Sequence, residues 1–266
     1  MLESGKLVHL VSKREICCKS WLRHGNISGA GLVIAVLAVF AIMTVSIRIG
    51  IASQAGDPVI AAAGDIACDP NNPNFKGGNG TANGCAEVRT SNKLATDSTV
   101  DLVLGLGDFQ YSCDDLNDYT LSYTPSWGVF NSIMYPVAGN HEYQTGTDPF
   151  GAMCPATNTT AANYFWYFGV NADPNNNGGH FSFDRGSWHI IGLNANCSSV
   201  GGCNSSSPET VWLSNDLNST TQPCILAYWH QPYWTGLSTN DFSSSAWWNL
   251  LYQKHADIVL NGHVHN

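Results

Sequence analysis

Apolar residues along this chain gather in short blocks, and five of those blocks stop at a side chain able to bind a metal or move a proton. Residues 58–64 (Pro-Val-Ile-Ala-Ala-Ala-Gly) are apolar at nearly every position and lead into Asp65. An unbroken run of this length reads as a strand buried on both faces. Residues 102–106 (Leu-Val-Leu-Gly-Leu) end in Gly107-Asp108-Phe109-Gln110-Tyr111, and 133–138 end in Gly139-Asn140-His141-Glu142. Residues 224–229 end at His230, and 257–260 lead into Asn261-Gly262-His263-Val264-His265. The alternation across 180–194 (Phe-Ser-Phe, then Trp-His-Ile-Ile-Gly-Leu) predicts a β-hairpin turning at 184–186. Between the strands, the pattern predicts a helix over 85–100 with Val88, Leu94 and Ala95 facing inward. A second helix is predicted from Ser207-Pro208-Glu209 through 217, with Pro in its first turn and acid near its positive end. A third spans 243–255 and carries a Trp-rich face, while Asn/Gly/Pro-rich 69–84 and 171–179 read as loops. No repeat or linker divides 56–266, so the expectation is one α/β domain. In open α/β sheets ligands gather beyond the carboxyl ends of strands, so the five endings are expected on one rim.

The first 55 residues break this pattern. Lys6, Lys13, Arg14, Lys19 and Arg23 precede an uncharged run over 29–47, and Arg48 follows. As a helix, nineteen residues span about 28 Å, close to the thickness of a bilayer's hydrocarbon core. The basic excess before the run keeps the amino terminus in the cytoplasm. We read 1–28 as a basic cytoplasmic leader, 29–51 as a transmembrane signal anchor or signal peptide, and 56–266 as the exported domain, membrane-attached or secreted after cleavage near residues 53–55.

Charge sharpens the division. The leader through residue 55 holds 6 basic and 2 acidic residues, and the remainder 5 and 18. So acidic a domain has no electrostatic footprint for nucleic acid. Export permits disulfides. Cys197 and Cys203 bracket a short turn, and Cys68 and Cys85 would close the 69–84 loop. Cys113–Cys154 is a third expected pair, and Cys224 reads as a buried free thiol.

Asp108 and Tyr111, three residues apart at a strand end, can turn into one loop. A carboxylate there can place one oxygen on each of two cations, and a phenol becomes a ligand when a strongly Lewis-acidic ion such as Fe(III) displaces its proton. His263 and His265, two apart on extended chain, face the same side, one ring for each neighbouring ion. Asn140 offers a neutral carbonyl oxygen, and His230 an imidazole.

Together, Gly64-Asp65, Gly107-Asp108-x-x-Tyr111, Gly139-Asn140-His141-Glu142, His230 before Gln-Pro, and Gly262-His263-x-His265 resemble the calcineurin-like metallophosphoesterases, and within them the purple acid phosphatase branch. Most of that superfamily carries Asp-x-His in the first block. Here Ala67 takes the histidine's place, and Tyr111 supplies the replacement ligand as in the purple phosphatases. The resemblance implies a four-layer α/β/β/α sandwich with Fe(III) held by Asp65, Asp108, Tyr111 and His265. A second ion, Fe(II), Zn(II) or Mn(II), would be held by Asp108, Asn140, His230 and His263. Two carboxylates and a phenolate leave such a pair net positive even with a bridging hydroxide, which would attract a phosphate and serve as the nucleophile. His141 is expected to protonate the leaving oxygen, and Glu142 to orient a ligand or His141. Family members continue beyond Gly-His-x-His with further strands, so 56–266 is expected to be a C-terminally incomplete sandwich.

The function this implies is hydrolysis of small phosphate monoesters at acidic or neutral pH. The alternatives are a phosphodiesterase or nucleotide hydrolase with the same metals, or a non-catalytic metal-binding surface protein. Sequence leaves the oligomeric state and the particular substrate open. His180, His189 and His255 read as core or surface residues, and Trp229, Tyr233 and Trp234 as packing beneath the site rather than a stacking platform.

Overall fold

The apolar runs pair into two four-stranded sheets. The computed structural model describes residues 8–11, 56–147, 151–235 and 241–265. In the first sheet β1 (Val8–Val11), β2 (Val59–Ala63), β3 (Leu102–Gly105) and β4 (Met134–Pro136) lie in that order. β2, β3 and β4 are parallel, and β1 is an antiparallel edge. The second sheet mirrors this plan. β8 (Trp188–Gly192), β9 (Cys224–Trp229) and β10 (Ile258–Asn261) are parallel, and β7 (Phe181–Arg185) runs antiparallel at the edge. Helix α1 (Glu87–Ala95) links β2 to β3. A short α2 (Leu116–Asp118) runs into a wide helical turn, Tyr119–Tyr123. A two-stranded ribbon, β5 (Gly146–Thr147) and β6 (Met153–Cys154), and α3 (Ala162–Phe168) precede the hairpin. Helices α4 (Pro208–Ser219) and α5 (Ser245–Gln253) precede β9 and β10.

Side chains alternate across a strand, and that alternation builds the layers. Ile60, Ala62, Leu102 and Leu104 face the other sheet and pack on Phe181, Trp188, Ile190, Leu226 and Tyr228. Ala61, Ala63 and Val103 face outward onto Leu94, Tyr119, Trp127, Tyr164 and Phe168. On the far side Ile191, Ile225, Ala227 and Trp229 meet Leu213, Leu217, Trp247 and Leu251. The order is helix, sheet, sheet, helix.

Several expectations need correction. α1 is shorter than 85–100, and its buried positions are Glu87, Ser91 and Leu94, while Ala95 is exposed. Glu87 is buried because Ser122 Oγ donates to its carboxylate at 3.1 Å, a partner that counting apolar residues does not reveal. The hairpin turns at 186–187, where Gly186 takes φ +59°, the positive angle a two-residue hairpin turn needs. Glu209 opens α4 as expected but is turned into the core rather than left at the helix end.

Cys68–Cys85, Cys113–Cys154 and Cys197–Cys203 are disulfides, with Cα separations of 5.3, 5.4 and 5.2 Å. Cys224 is disulfide-bonded as well and is not a free thiol. The reading of 1–28 as a leader apart from the domain does not anticipate β1, which covers the backbone edge that β2 would otherwise leave open. The run over 29–47 lies outside the described residues. Among the described residues no helix is long and apolar enough to cross a membrane.

His189 of β8 is clasped between two acids. Its Nδ1 lies 2.7 Å from Asp184 Oδ1 and its Nε2 2.7 Å from Asp216 Oδ2. Burial opposes charge on this ring, but the two carboxylates outweigh it and raise the pKa above 6.5. A raised histidine stabilises fully below its unfolded pKa and loses that contribution as pH climbs through the folded value. We expect His189→Asn to destabilise the fold most near about pH 6 and progressively less toward about pH 9. Urea unfolding of both proteins across that range measures the gap, and a pH-independent gap would mean the ring carries no charge.

Candidate metal centre

The β2–β3 ladder does not stop where the strands do. Asp65 N donates to Gly107 O (3.0 Å), Ile66 N to Asp108 O (2.9 Å) and Ala67 N to Phe109 O (3.1 Å), which sets the two acids side by side. Asp65, Asp108 and His263 take positive φ (+56°, +52° and +71°). A side chain in that region costs about 1 kcal/mol or more, and such strain gathers at functional sites. Two glycines make the approach possible. A Cβ on Gly107 would lie 2.6 Å from His230 Nδ1 and 2.8 Å from Gly139 Cα, and one on Gly139 would run into the Asp108 carboxylate.

All seven metal-ligand candidates meet here, in two overlapping sets. In the first, Tyr111 Oη lies 2.8 Å from Asp65 Oδ1, 3.1 Å from Asp108 Oδ2 and 2.9 Å from His265 Nε2. His265 Nε2 is 2.8 Å from Asp65 Oδ1. In the second, His230 Nε2 lies 3.0 Å from Asp108 Oδ2, 3.2 Å from Asn140 Oδ1 and 3.2 Å from His263 Nδ1. The oxygen common to both sets is Oδ2 of Asp108. Its other oxygen, Oδ1, expected to serve a second cation, accepts the backbone N–H of His141 at 2.9 Å.

The electrostatics favour cations at both points. Asp65 and Asp108 are buried, yet all five Lys and Arg residues outside the first 55 are exposed, and among the described residues none pairs with either acid. Buried carboxylates need a positive partner. His230 Nδ1 donates to Leu106 O at 2.7 Å, so in the neutral ring Nε2 turns a bare lone pair toward the acceptor oxygens of Asp108 and Asn140. A proton or a metal ion at that point relieves the opposition. Burial alone would keep His230 neutral, but Asp108 overrides it and raises its pKa to about 9. Burial, then Asp108 and Asp65, push the Tyr111 phenol well above its usual range, so a strong Lewis acid is needed to ionise it. A set of carboxylate, phenol, imidazole and amide oxygen donors suits a harder trivalent ion beside Tyr111 and a borderline divalent ion among the histidines.

His141 is buried against the ring of Tyr111, and its Nδ1 lies 2.7 Å from Ser112 O. The backbone carbonyls of Leu106 and Ser112, which aim His230 and His141, carry no sequence signal because any residue supplies a carbonyl. His180 packs on Trp212, and His255 is exposed at the end of α5. Trp229 is fully buried against Trp247 and Trp248, whereas Trp234, expected to pack, is 62 % exposed.

The chain belongs to the calcineurin-like phosphoesterase family, whose model matches residues 59–266. Within that family its curated relatives are purple acid phosphatases. Purple acid phosphatase 15 of Arabidopsis thaliana is 27 % identical over 201 residues, covering 62 % of this chain and 35 % of that protein. Purple acid phosphatase 23 of the same plant is 27 % identical over 162 residues, covering 54 % and 32 %. The chain thus spans about a third of the length of these relatives. Among solved structures, purple acid phosphatase PPD1 from yellow lupin seeds superposes with TM-score 0.57 at 16 % identity, covering 80 % of this chain and 38 % of that one. PhoD superposes with TM-score 0.51 at 16 % identity, covering 80 % and 52 %. At that identity these two speak to the fold.

Glu142 is buried beneath Asp108 and holds the backbone around it. Its Oε2 accepts from Asp108 N (2.9 Å) and Gly139 N (2.6 Å), and its Oε1 from Phe109 N (2.7 Å). Burial, then the neighbouring Asp108 charge, push this carboxyl up to about 8, against N–H donors that favour its anion. Glu142→Gln turns an NH2 group toward at least one of those donors. We expect a loss of about 1–3 kcal/mol in urea unfolding and weaker metal uptake. Unchanged stability would mean the three N–H groups find other acceptors.

Proposed function

We propose that this protein is an exported metal-dependent hydrolase of small phosphate monoesters, working at a dinuclear centre. The observation that carries the reading is the position of Asp108 Oδ2, 3.1 Å from Tyr111 Oη and 3.0 Å from His230 Nε2, with the other ligand candidates closing around each side. Asp65, Asp108, Tyr111 and His265 would hold Fe(III), and Asp108, Asn140, His230 and His263 would hold Fe(II), Zn(II) or Mn(II). Bound there, the ions would supply Lewis acidity, lowering the pKa of water and offsetting charge on the phosphoryl oxygens.

The chain's own residues supply the rest. Asp65 Oδ2 accepts the backbone N–H of His263 at 2.9 Å, which orients the histidine arm toward the acids. His141, with Nδ1 donating to Ser112 O, would as an imidazolium present an Nε2–H to the leaving alkoxide. No Lys or Arg clamp stands among these residues, so a small ester whose leaving group carries no added negative charge suits a domain this acidic. Three disulfides between described residues suit an oxidising compartment.

Metal analysis and visible spectra of wild type and Tyr111→Phe test the centre. We expect iron with a phenolate-to-iron absorption band in wild type and loss of that band in the variant. Turnover of p-nitrophenyl phosphate should exceed that of bis(p-nitrophenyl) phosphate by about tenfold or more, a margin of about 1.4 kcal/mol in transition-state binding. A colourless, iron-free and active protein would remove the role of Tyr111, and a preference for the diester would remove the monoester assignment.

A further inference from the structure

The turn that carries Asn140, His141 and Glu142 belongs to the first sheet, but it is gripped at both ends from the second. Two asparagines beyond the end of β8 do this, Asn194 and Asn196, both buried. The Asn196 amide donates one hydrogen to Gly139 O at 3.1 Å, with Ala138 O at 3.4 Å, and the other to Asn194 Oδ1 at 2.9 Å. The Asn194 amide donates to Tyr143 Oη at 3.0 Å and to Gly178 O at 2.8 Å, and its own backbone N–H goes to Glu209 Oε1 at 2.8 Å. Each NH2 group thus has a partner for both its hydrogens, so neither amide can flip without stranding a buried donor.

The geometry points to Asn194 and Asn196 as positioning residues that set the spacing between Asn140 and His230. Those two side chains come from different sheets and stand 3.2 Å apart. Gly139 N is already held by Glu142, so Asn196 fixes the remaining freedom of the peptide that leads into Asn140. Glu209 anchors the pair to α4, which accounts for a first-turn acid turned inward. The inference rests on the proposed dinuclear centre. Its effect falls on the half that takes its ligand Asn140 from this turn; Tyr111 meets the turn at the His141 ring, while its Oη stands among Asp65, Asp108 and His265.

The test is uptake of Zn(II) by iron-loaded protein, with the visible band and melting temperature read alongside. Asn196→Asp keeps the shape and removes the NH2 donor. It should weaken Zn(II) binding about 10–100-fold, as loss of an outer partner of a metal ligand commonly does, and lower kcat with little change in KM. The phenolate–iron band should stay where it is. Tyr143→Phe removes only the acceptor at the far end of the turn, keeps its packing, and should weaken Zn(II) several-fold, which guards against a poorly folded Asn196→Asp. Wild-type Zn(II) affinity in both variants, whatever their melting temperatures, overturns the inference, as does loss of both metals in step with stability. A wild type that takes up no second ion would instead remove the dinuclear reading and this role with it.

Discussion

One carboxylate oxygen has to stand where two donor sets meet, and the local backbone is bent to put it there. Asp108 sits at φ +52°, between a glycine that must lack a Cβ because His230 lies against it and a facing glycine that must lack one because Asp108 itself does. Its Oδ1 is spent on the His141 N–H, which leaves Oδ2 pointing between Tyr111 and His230. Glu142 holds the amides on both sides of this close approach, those of Asp108, Phe109 and Gly139, with a single side chain. Strain at one residue is tolerated because its neighbours over-determine its position.

The same oxygen explains the charge pattern. Two buried acids sharing one phenol between them would normally call for Lys or Arg, yet every such residue outside the first 55 lies at the surface. Among the described residues the positive charge that can answer these acids is therefore an imidazole's, and His230 responds by rising to about 9. A cation placed here would meet two carboxylates with no Lys or Arg among the described residues competing for the position. The scarcity of basic residues in an acidic domain is thus consistent with chemistry supplied by bound ions.

The strand ends were legible from sequence for a physical reason. Parallel strands buried on both faces are continuous apolar runs, and the residue that ends such a run projects from the rim, so ligand and location are written together. What was not legible depends on partners far away in the chain. Glu87 is buried through Ser122, 35 residues on, and Glu142 reaches back 34 residues to the Asp108 amide. Asn194 and Asn196 meet the Gly139–Tyr143 turn more than 50 residues upstream, and short polar residues after a strand read as ordinary loop. The stretch between β3 and the hairpin carried no clean period, because its rings pack on one another between α3 and the turn after α2 rather than along one helical face. Nor could spacing give the disulfide state of Cys224.

Each donor set draws on both sheets. The first set takes Asp65, Asp108 and Tyr111 from one sheet and His265 from the other, and the second takes Asp108 and Asn140 from one and His230 and His263 from the other. The centre is therefore an interface, and its geometry is only as fixed as the packing between the sheets. That packing is apolar and interdigitated, Ile60, Leu102 and Leu104 against Trp188, Ile190 and Leu226, and it resists sliding along the strands without choosing the fine distance at the rim. Directional bonds at the rim make that choice: His230 to the Leu106 carbonyl, the His263 amide to Asp65, and Asn196 to the Gly139 carbonyl, each crossing from the second sheet to the first. Dispersion brings the sheets together, and these polar crossings decide how far apart the ligands stand.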